Sequence, residues 1–159
     1  MKMWCAAFTQ RKKGFTTMSA TTRYLPFAGR VLIGLPFAMS GLGKLAAFGP
    51  TTAMIAAVGL PVPPLAWAVA ILVELGGGLL LIAGYQTRAV ALAMAVFTVA
   101  TAVFFHNNFA DQNQMIHFLK NIMITGGLLQ IVAFGAGAFS VDFRFSKGRE
   151  TAANAALAH

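Results

Sequence analysis

Glu74 is the residue whose position most demands a chemical explanation. It is the only charged residue in the apolar stretch from Pro64 to Gly84, PLAWAVAILVELGGGLLLIAG. About 20 apolar residues at roughly 1.5 Å each cross the core of a bilayer, so this stretch predicts a membrane helix with a carboxyl group near its middle. Such a carboxylate is unfavourable unless it is paired, protonated or in contact with water. We therefore expect Glu74 to form a structural ion pair or to belong to a functional site.

Three cations lie within, or at the margins of, the other predicted spans: Arg30, Lys44 and Lys120. Lipid forces such groups to face the bundle interior or water. The two lysines lie near helix ends, from which a long side chain can reach the interface, whereas Arg30 lies further inside. We expect Arg30, Glu74 and Lys120 to line a polar pocket, with Arg30 or Lys120 as the partner of Glu74.

Two histidines flank the polar loop before the fourth predicted span. His106 and His117 enclose Asp111, but their spacing matches no compact metal-binding pattern, so the sequence predicts no metal site. His106 is a candidate proton gate, because imidazole exchanges protons near neutral pH. The chain has no haem-attachment motif, GxGxxG, P-loop or GxSxG. Its single cysteine, Cys5, excludes dithiol chemistry within one chain.

The composition places the protein in lipid. Of its 159 residues, 58% are hydrophobic and 10% are charged, and the mean hydropathy is +0.72. Soluble domains typically carry about 25% charged residues. The net charge of +8 comes from cations near the two ends of the chain, which favours a membrane surface over nucleic acid as the partner.

Hydropathy predicts four spans, and hence an all-α four-helix transmembrane bundle. They cover residues of about 24–47, 64–84 and 89–105, and a fourth stretch that begins between 112 and 118 and ends near 137. A short helix between Pro50 and Gly59 is too short to cross and is expected at the interface or folded back into the membrane. The link YQTR is a tight turn, so the second and third spans form an antiparallel hairpin.

A weak internal repeat relates the second span to the fourth. GGGLLLIAG in the second span resembles GGLLQIVAFG in the fourth. Two explanations remain open. One is a parallel duplication of a two-helix unit, and the other is the general use of small residues where membrane helices pack closely.

Lysine and arginine positions predict the orientation. Cations precede the first span, follow the fourth and occupy the tight turn, so both termini are expected in the cytoplasm. We divide the chain into a basic tail at residues 1–23, a membrane domain at 24–143 and a second basic tail at 144–159. Translation starting at Met18 is an alternative, since MSATTRYLPF leads normally into a first span and the upstream segment would then be dispensable.

Three segments carry a resemblance to a known family. They are GRVLIGLPFAMSGLGKL (Gly29–Leu45), LVELGGGLLLIAGYQTR (Leu72–Arg88) and the stretch from FFHNNF to HFLKNIMITGGLL (Phe104–Leu129). Together they resemble the DoxX family of small bacterial membrane proteins, over residues of about 24–143. The resemblance implies a four-helix protein of the bacterial inner membrane.

The resemblance also implies a chemical context. The family is named after a subunit linked to quinone-dependent sulfur oxidation, and other members are associated with oxidative or quinone stress. Its pattern maps onto Arg30, Lys44, Glu74, Arg88, His106, Lys120 and Asn121. All of these except Arg88 form our candidate intramembrane pocket.

The predicted function is an accessory or quinone-linked component of a membrane oxidoreductase or oxidative-stress system. Arg or Lys would hydrogen-bond a quinone oxygen, and Glu74 would exchange a proton. The sequence establishes neither a catalytic activity nor a cofactor, and a quinone is the candidate that this chemistry allows. Two alternatives stay open: a permease or efflux component for aromatic or electrophilic solutes, and a membrane scaffold for soluble redox enzymes.

Overall fold

The fold is a bundle of long helices. A computed structural model of the protein describes residues 20–157, without the side chains of residues 20–22, 150–152 and 155–156. Four helices in this part of the chain are long and apolar enough to cross a membrane, which confirms the predicted fold class. Cys5 and the alternative start at Met18 lie outside the described residues.

The predicted spans agree with the helices to within a few residues. The second span is continuous but changes from α-helix to π-helix and back. The helices are α1 (Ala20–Ala46), α2 (Phe48–Ala57), α3 (Pro63–Ile71), a π segment (Leu72–Gly77), α4 (Gly78–Ala83), α5 (Thr87–Phe105), α6 (Gln112–Phe134) and α7 (Val141–Ala156).

Successive spans run in opposite directions, so the bundle has two distinct ends. We call the end at which α1 begins and α6 finishes the terminal end, and the other the opposite end. At the terminal end, Gly84 ends α4 with φ of 72° and Gln86 precedes α5 with φ of 44°. Gly84 adopts the left-handed conformation common after helices, and the resulting tight turn makes the predicted hairpin.

The short helix α2 lies between α1 and α3 in the chain. It starts two residues earlier than the sequence predicted, and Gly59 follows it with φ of 78°. Phe48 at its start packs edge-to-face on Trp67 of α3, with ring centroids 4.9 Å apart. This contact holds α2 against the second span.

α1 packs very closely on the second span. A Cβ atom added to Gly34 would lie 2.7 Å from the carbonyl oxygen of Gly78, and one added to Gly41 would lie 2.6 Å from the backbone nitrogen of Leu75. Small residues allow membrane helices to approach in this way. The close packing brings polar side chains of α1 within reach of the π segment.

α5 and α6 form the other half of the bundle. Leu81, Met94 and Leu128 are fully buried and belong to the core that joins α4, α5 and α6. α6 packs mainly on α5 and makes only marginal contact with α1. Both α4 and α6 are followed by a glycine with positive φ, but α6 has no π segment, and the duplication stays a prediction.

α7 follows α6 after a short loop and extends across the predicted boundary between residues 143 and 144. Its first residues contact the terminal end of the hairpin, where the backbone N–H of Asp142 donates to the carbonyl oxygen of Gly84 at 2.9 Å. The helix that contains the boundary is thus anchored to the bundle. The division of the chain into one domain and two tails stays a prediction.

Candidate functional site

Glu74 forms an ion pair with Lys44. The Nζ atom of Lys44 lies 2.9 Å from Oε1 and 2.7 Å from Oε2 of Glu74. The Glu74 side chain is 8% exposed and the Lys44 side chain is 32% exposed. Glu74 is roughly 14–16 Å from each end of its span at 1.5 Å per residue, so the pair lies near mid-height of the bundle. The expectation that Glu74 pairs with a cation is confirmed, but the cation is Lys44.

Side-chain direction explains why Lys44 is the partner. Side chains on a helix lean toward its N-terminus. α1 runs from the terminal end to the opposite end, so Lys44, close to its C-terminus, leans back toward mid-height. The second span runs the other way, so Glu74 leans toward Lys44. The prediction that Arg30 or Lys120 pairs with Glu74 is therefore wrong.

A hydroxyl group contacts the ion pair, and two aromatic rings lie beside the Lys44 backbone, with Trp67 roughly 10 Å before Glu74 along the second span. Lys44 Nζ donates to Oγ of Ser40 at 2.8 Å, one turn earlier on α1. Trp67 Nε1 donates to the backbone carbonyl oxygen of Lys44 at 2.9 Å, and Phe48 packs on the Trp67 ring. Neither Ser40 nor Trp67 was among the predicted site residues. For Ser40 the available signal was helical spacing, since it precedes Lys44 by four residues.

The π segment places Glu74 on the face that meets α1. It covers Leu72–Gly77, and both Glu74 and Gly77 are buried. Short π-helical insertions in α-helices are frequent at functional sites, because the extra residue in the turn shifts side chains relative to the rest of the helix. A hydropathy pattern does not distinguish this insertion from a regular helix, which is why the sequence did not predict it.

Arg30 lies at the terminal end and is 0% exposed. Its Nη1 atom donates to the carbonyl oxygens of Leu81 and Ile82 at 3.1 and 3.3 Å, and its Nη2 atom donates to the carbonyl oxygen of Phe139. The guanidinium thus satisfies the last carbonyls of α4, where a cation also opposes the helix dipole favourably. Leu81 follows Glu74 by roughly 10 Å along the span, so Arg30 belongs to a separate site.

Asp142 completes this second site. Its carboxylate accepts hydrogen bonds from the backbone N–H groups of Gln86 at 2.7 Å and Thr87 at 2.9 Å, at the start of α5. Burial raises the pKa of this carboxyl group, but the hydrogen bonds from Thr87 and Gln86 and the charge of Arg30 outweigh it, so the pKa lies below its ordinary value. Asp142 was not a candidate residue, because it lies eight residues after the fourth span and accepts from the start of a helix 55 residues earlier in the chain, a pairing that no local pattern indicates.

The remaining candidate residues lie near the opposite end. Lys120 is exposed on α6, whose direction leans its side chain toward the interface. His106 Nδ1 is 2.9 Å from Oε1 of Gln114, and its ring stacks on His117 with centroids 5.1 Å apart. The backbone carbonyl of Asn121 accepts from Thr125 Oγ1. Within the described residues, none of the three candidates forms a hydrogen bond or ion pair with Glu74.

Comparison with known proteins assigns the chain to a family. A family model described as DoxX matches residues 25–107, slightly more than half of the chain. The chain belongs to the DoxX family. Inner membrane protein YqjF of Escherichia coli (strain K12) is 39% identical over 118 residues, which cover 74% of this chain and 89% of YqjF. Inner membrane protein YphA of the same strain is 32% identical over 138 residues, covering 78% of this chain and 99% of YphA. No solved structure matches.

This DoxX-family protein is therefore an integral membrane protein, and both charged sites involve the matched region. The region matched by the DoxX model includes Lys44, Glu74 and Arg30, together with His106 at its edge. Lys120 and Asp142 lie beyond it. The ion pair is thus contained entirely in the part of the chain that the DoxX model covers.

Proposed function

We propose that this DoxX-family protein is an accessory, quinone-linked component of a membrane oxidoreductase or oxidative-stress system, and that its ligand site is the Lys44–Glu74 pair. The observation that supports the proposal is the asymmetric burial of the pair, with Glu74 8% and Lys44 32% exposed. Here the Lys44 side chain is one-third exposed near mid-height of the bundle, where lipid-soluble molecules can reach it.

The charges of the site favour a neutral ligand. Glu74 already neutralises Lys44, so an anion would gain little by entering. The three protons of the ammonium group point to Ser40 and to the two oxygens of Glu74. The hydroxyl group of Ser40 accepts one of them and keeps its own proton for donation. A ligand that offers carbonyl oxygens could therefore accept from Ser40 and share the Lys44 ammonium group.

The aromatic rings favour a flat ligand. Trp67 is held beside the Lys44 backbone by its indole N–H, and Phe48 packs against it. Flat conjugated rings pack well on such side chains in offset or edge-to-face arrangements. Carbonyl oxygens on a flat, neutral, lipid-soluble ring describe a quinone head group. A quinone, when bound, supplies carbonyl oxygens that accept electrons and protons, while its electrons would come from a partner oxidoreductase.

The protein residues would bind the head group and move protons. Lys44 would orient a carbonyl oxygen by charge-assisted hydrogen bonding. Glu74 lies within hydrogen-bond distance of Lys44 Nζ, so after Lys44 has given a proton to the ligand, the carboxylate would take up a proton from outside the pair and pass it to the neutral amine. In this scheme Lys44 and Glu74 bind the ligand and move protons while a partner oxidoreductase supplies the electrons, which corresponds to an accessory role.

We further propose residence in the inner membrane, as the names of YqjF and YphA state for those proteins, with both termini in the cytoplasm. The positive-inside rule supports the orientation, since Arg88, Arg144 and Lys147 lie at the terminal end. Cysteines introduced at Asn113 should react with an impermeant thiol reagent added to intact cells, whereas those at Gln86 or Lys147 should not. The reverse labelling pattern would refute the orientation.

The quinone assignment is tested by thermal unfolding of the purified protein in detergent. A short-chain quinone at about 100 times its dissociation constant should stabilise the protein by roughly 2.7 kcal/mol. Ser40→Ala and Lys44→Met should remove most of this stabilisation, while Lys120→Met, which removes an exposed intramembrane lysine elsewhere, should retain it. If no quinone shifts the unfolding transition of the unsubstituted protein, the proposal fails, and flux of aromatic solutes into proteoliposomes would then test the permease alternative.

A further inference from the structure

A groove lies at the terminal end, separate from the Lys44–Glu74 site. It has a volume of about 840 Å³ and runs between the start of α7, the start of α1 and the end of α4. Phe27, Ile82, Phe139 and Phe143 give it apolar walls, and Arg144 and Lys147 lie along it. Neither the candidate quinone site nor the hydrogen bonds of Arg30 explain why apolar walls and cations occur together in this groove.

The position of the groove matches the boundary between hydrocarbon and headgroups. Ile82 and Ala83 line it, and Ala83 is the last residue of the second span. α7 starts after the fourth span has ended at Phe134. The apolar walls therefore come from the ends of the spans, while the cations come from the helix beyond them.

The cations of the groove lie on one face of α7. Arg144 and Lys147 are three residues apart, so their side chains project from the same side of the helix. Asp142, the nearest acid whose side chain is described, directs its carboxylate to the start of α5 at Gln86 and Thr87. Arg144 thus gives the polar side of the groove a positive charge, which is complementary to a phosphate group.

We propose that this groove binds one anionic phospholipid, with the headgroup phosphate at Arg144 and an acyl chain along Phe27 and Phe139. Cations and apolar walls meet at the depth where a phospholipid changes from phosphate to hydrocarbon. A soluble phosphate would use only the cations, and a zwitterionic lipid would bring its own positive charge beside them. Bound lipid would hold α7 against the start of α1 and the end of α4.

Native mass spectrometry of the full-length protein in mild detergent tests the proposal. Phosphatidylglycerol and phosphatidylcholine with identical acyl chains are added at equal concentrations. The protein should retain phosphatidylglycerol several-fold more. Arg144→Gln should lower this retention about fivefold, the loss expected for one cation near a lipid phosphate. Arg149→Gln is the matched control, because it removes the same charge from the same helix at a residue that does not line the groove.

A second variant tests the apolar walls without changing the charge. Gly148 lines the groove, and a Cβ atom added to it meets no other atom within 4 Å. Gly148→Phe should therefore place a ring in the groove and displace the lipid while the cations remain. Unfolding curves without added lipid establish that the variants are folded.

Three results would overturn the proposal. Equal retention of the two lipids would show that the groove does not select anionic headgroups. An equal loss in Arg144→Gln and Arg149→Gln would show that the attraction is not localised in the groove. Competition by glycerol 3-phosphate at the same concentration as the lipid would identify a site for soluble phosphates, since that molecule has no acyl chain.

Discussion

The two charged sites of the bundle differ in where their hydrogen bonds go. At the terminal end, Arg30 is fully buried and donates to backbone carbonyls, and Asp142 accepts from backbone N–H groups. At mid-height, Lys44 and Glu74 bond chiefly to side chains, and Lys44 is one-third exposed. Charges that satisfy helix ends inside the protein stabilise the fold, whereas a partly accessible pair can exchange one partner for a ligand.

The contacts of Arg30 and Lys44 reverse the ranking that their positions in the sequence suggested. Arg30, a cation well inside a predicted span, suggested function more strongly than Lys44 did. In the structure, Arg30 acts as a helix cap. Its guanidinium group donates to the carbonyl oxygens of Leu81 and Ile82, at the end of α4, and of Phe139, in the loop before α7. The distance of a charged residue from the end of its predicted span therefore says less about its function than the groups that surround it in the structure.

Removal of Arg30 should have the largest effect on stability. Arg30→Met leaves the carbonyls of Leu81, Ile82 and Phe139 without their donor and should lower the free energy of unfolding by about 3 kcal/mol or more. Thermal unfolding in detergent measures this loss. Arg23→Gln, an exposed arginine on the same helix, should change stability by less than about 1 kcal/mol. Similar losses in both variants would show that the loss does not come from the buried carbonyl contacts of Arg30.

Gly84→Ala should have the second-largest effect on stability, because Gly84 contacts Arg30 from the end of α4. Its φ is 72°, and an added Cβ atom would overlap Nη1 of Arg30. A strained backbone costs roughly 1–3 kcal/mol, and displacement of Arg30 adds to this. Gly43→Ala is the control, since a Cβ atom there meets nothing within 4 Å. Unchanged unfolding of the Gly84 variant would contradict the described contact.

Substitutions in the Lys44–Glu74 pair should cost less stability. Lys44→Met leaves Glu74 buried without a partner, while Glu74→Gln leaves a lysine that is already one-third exposed. We expect a loss of about 1–2 kcal/mol for the first and less for the second, after allowance for solvent screening. The double variant should recover part of the loss. The two single variants and the double variant should all lose the stabilisation by quinone. If all three still bind quinone, the ligand site is not the Lys44–Glu74 pair.

The smallest effect should come from Asp142. Asp142→Asn weakens the cap of α5 and should cost about 1 kcal/mol at neutral pH. Because the folded protein lowers the pKa of this group, its contribution is present above the unfolded pKa of about 3.9 and disappears as pH falls through the folded pKa. Unfolding curves of the two proteins should therefore converge below about pH 4. A constant difference at all pH values would exclude the ionised cap.

Hydropathy alone determined the membrane bundle, because each span is long and apolar enough to be recognised without knowledge of its neighbours. The same local information predicted that Glu74 needs a cation and that the second and third spans form a hairpin. These features depend on the composition and spacing of a single segment.

Only the tertiary structure decided which charges meet. Lys44 reaches Glu74, and Arg30 reaches the end of α4, because side chains lean toward the N-terminus of their helix and adjacent spans run in opposite directions. The π segment and the close approach of α1 at Gly34 and Gly41 then set which faces oppose each other. A hydropathy pattern contains neither the rotation of a helix about its axis nor its offset from a neighbour, so pairings between distant segments could not be read from it.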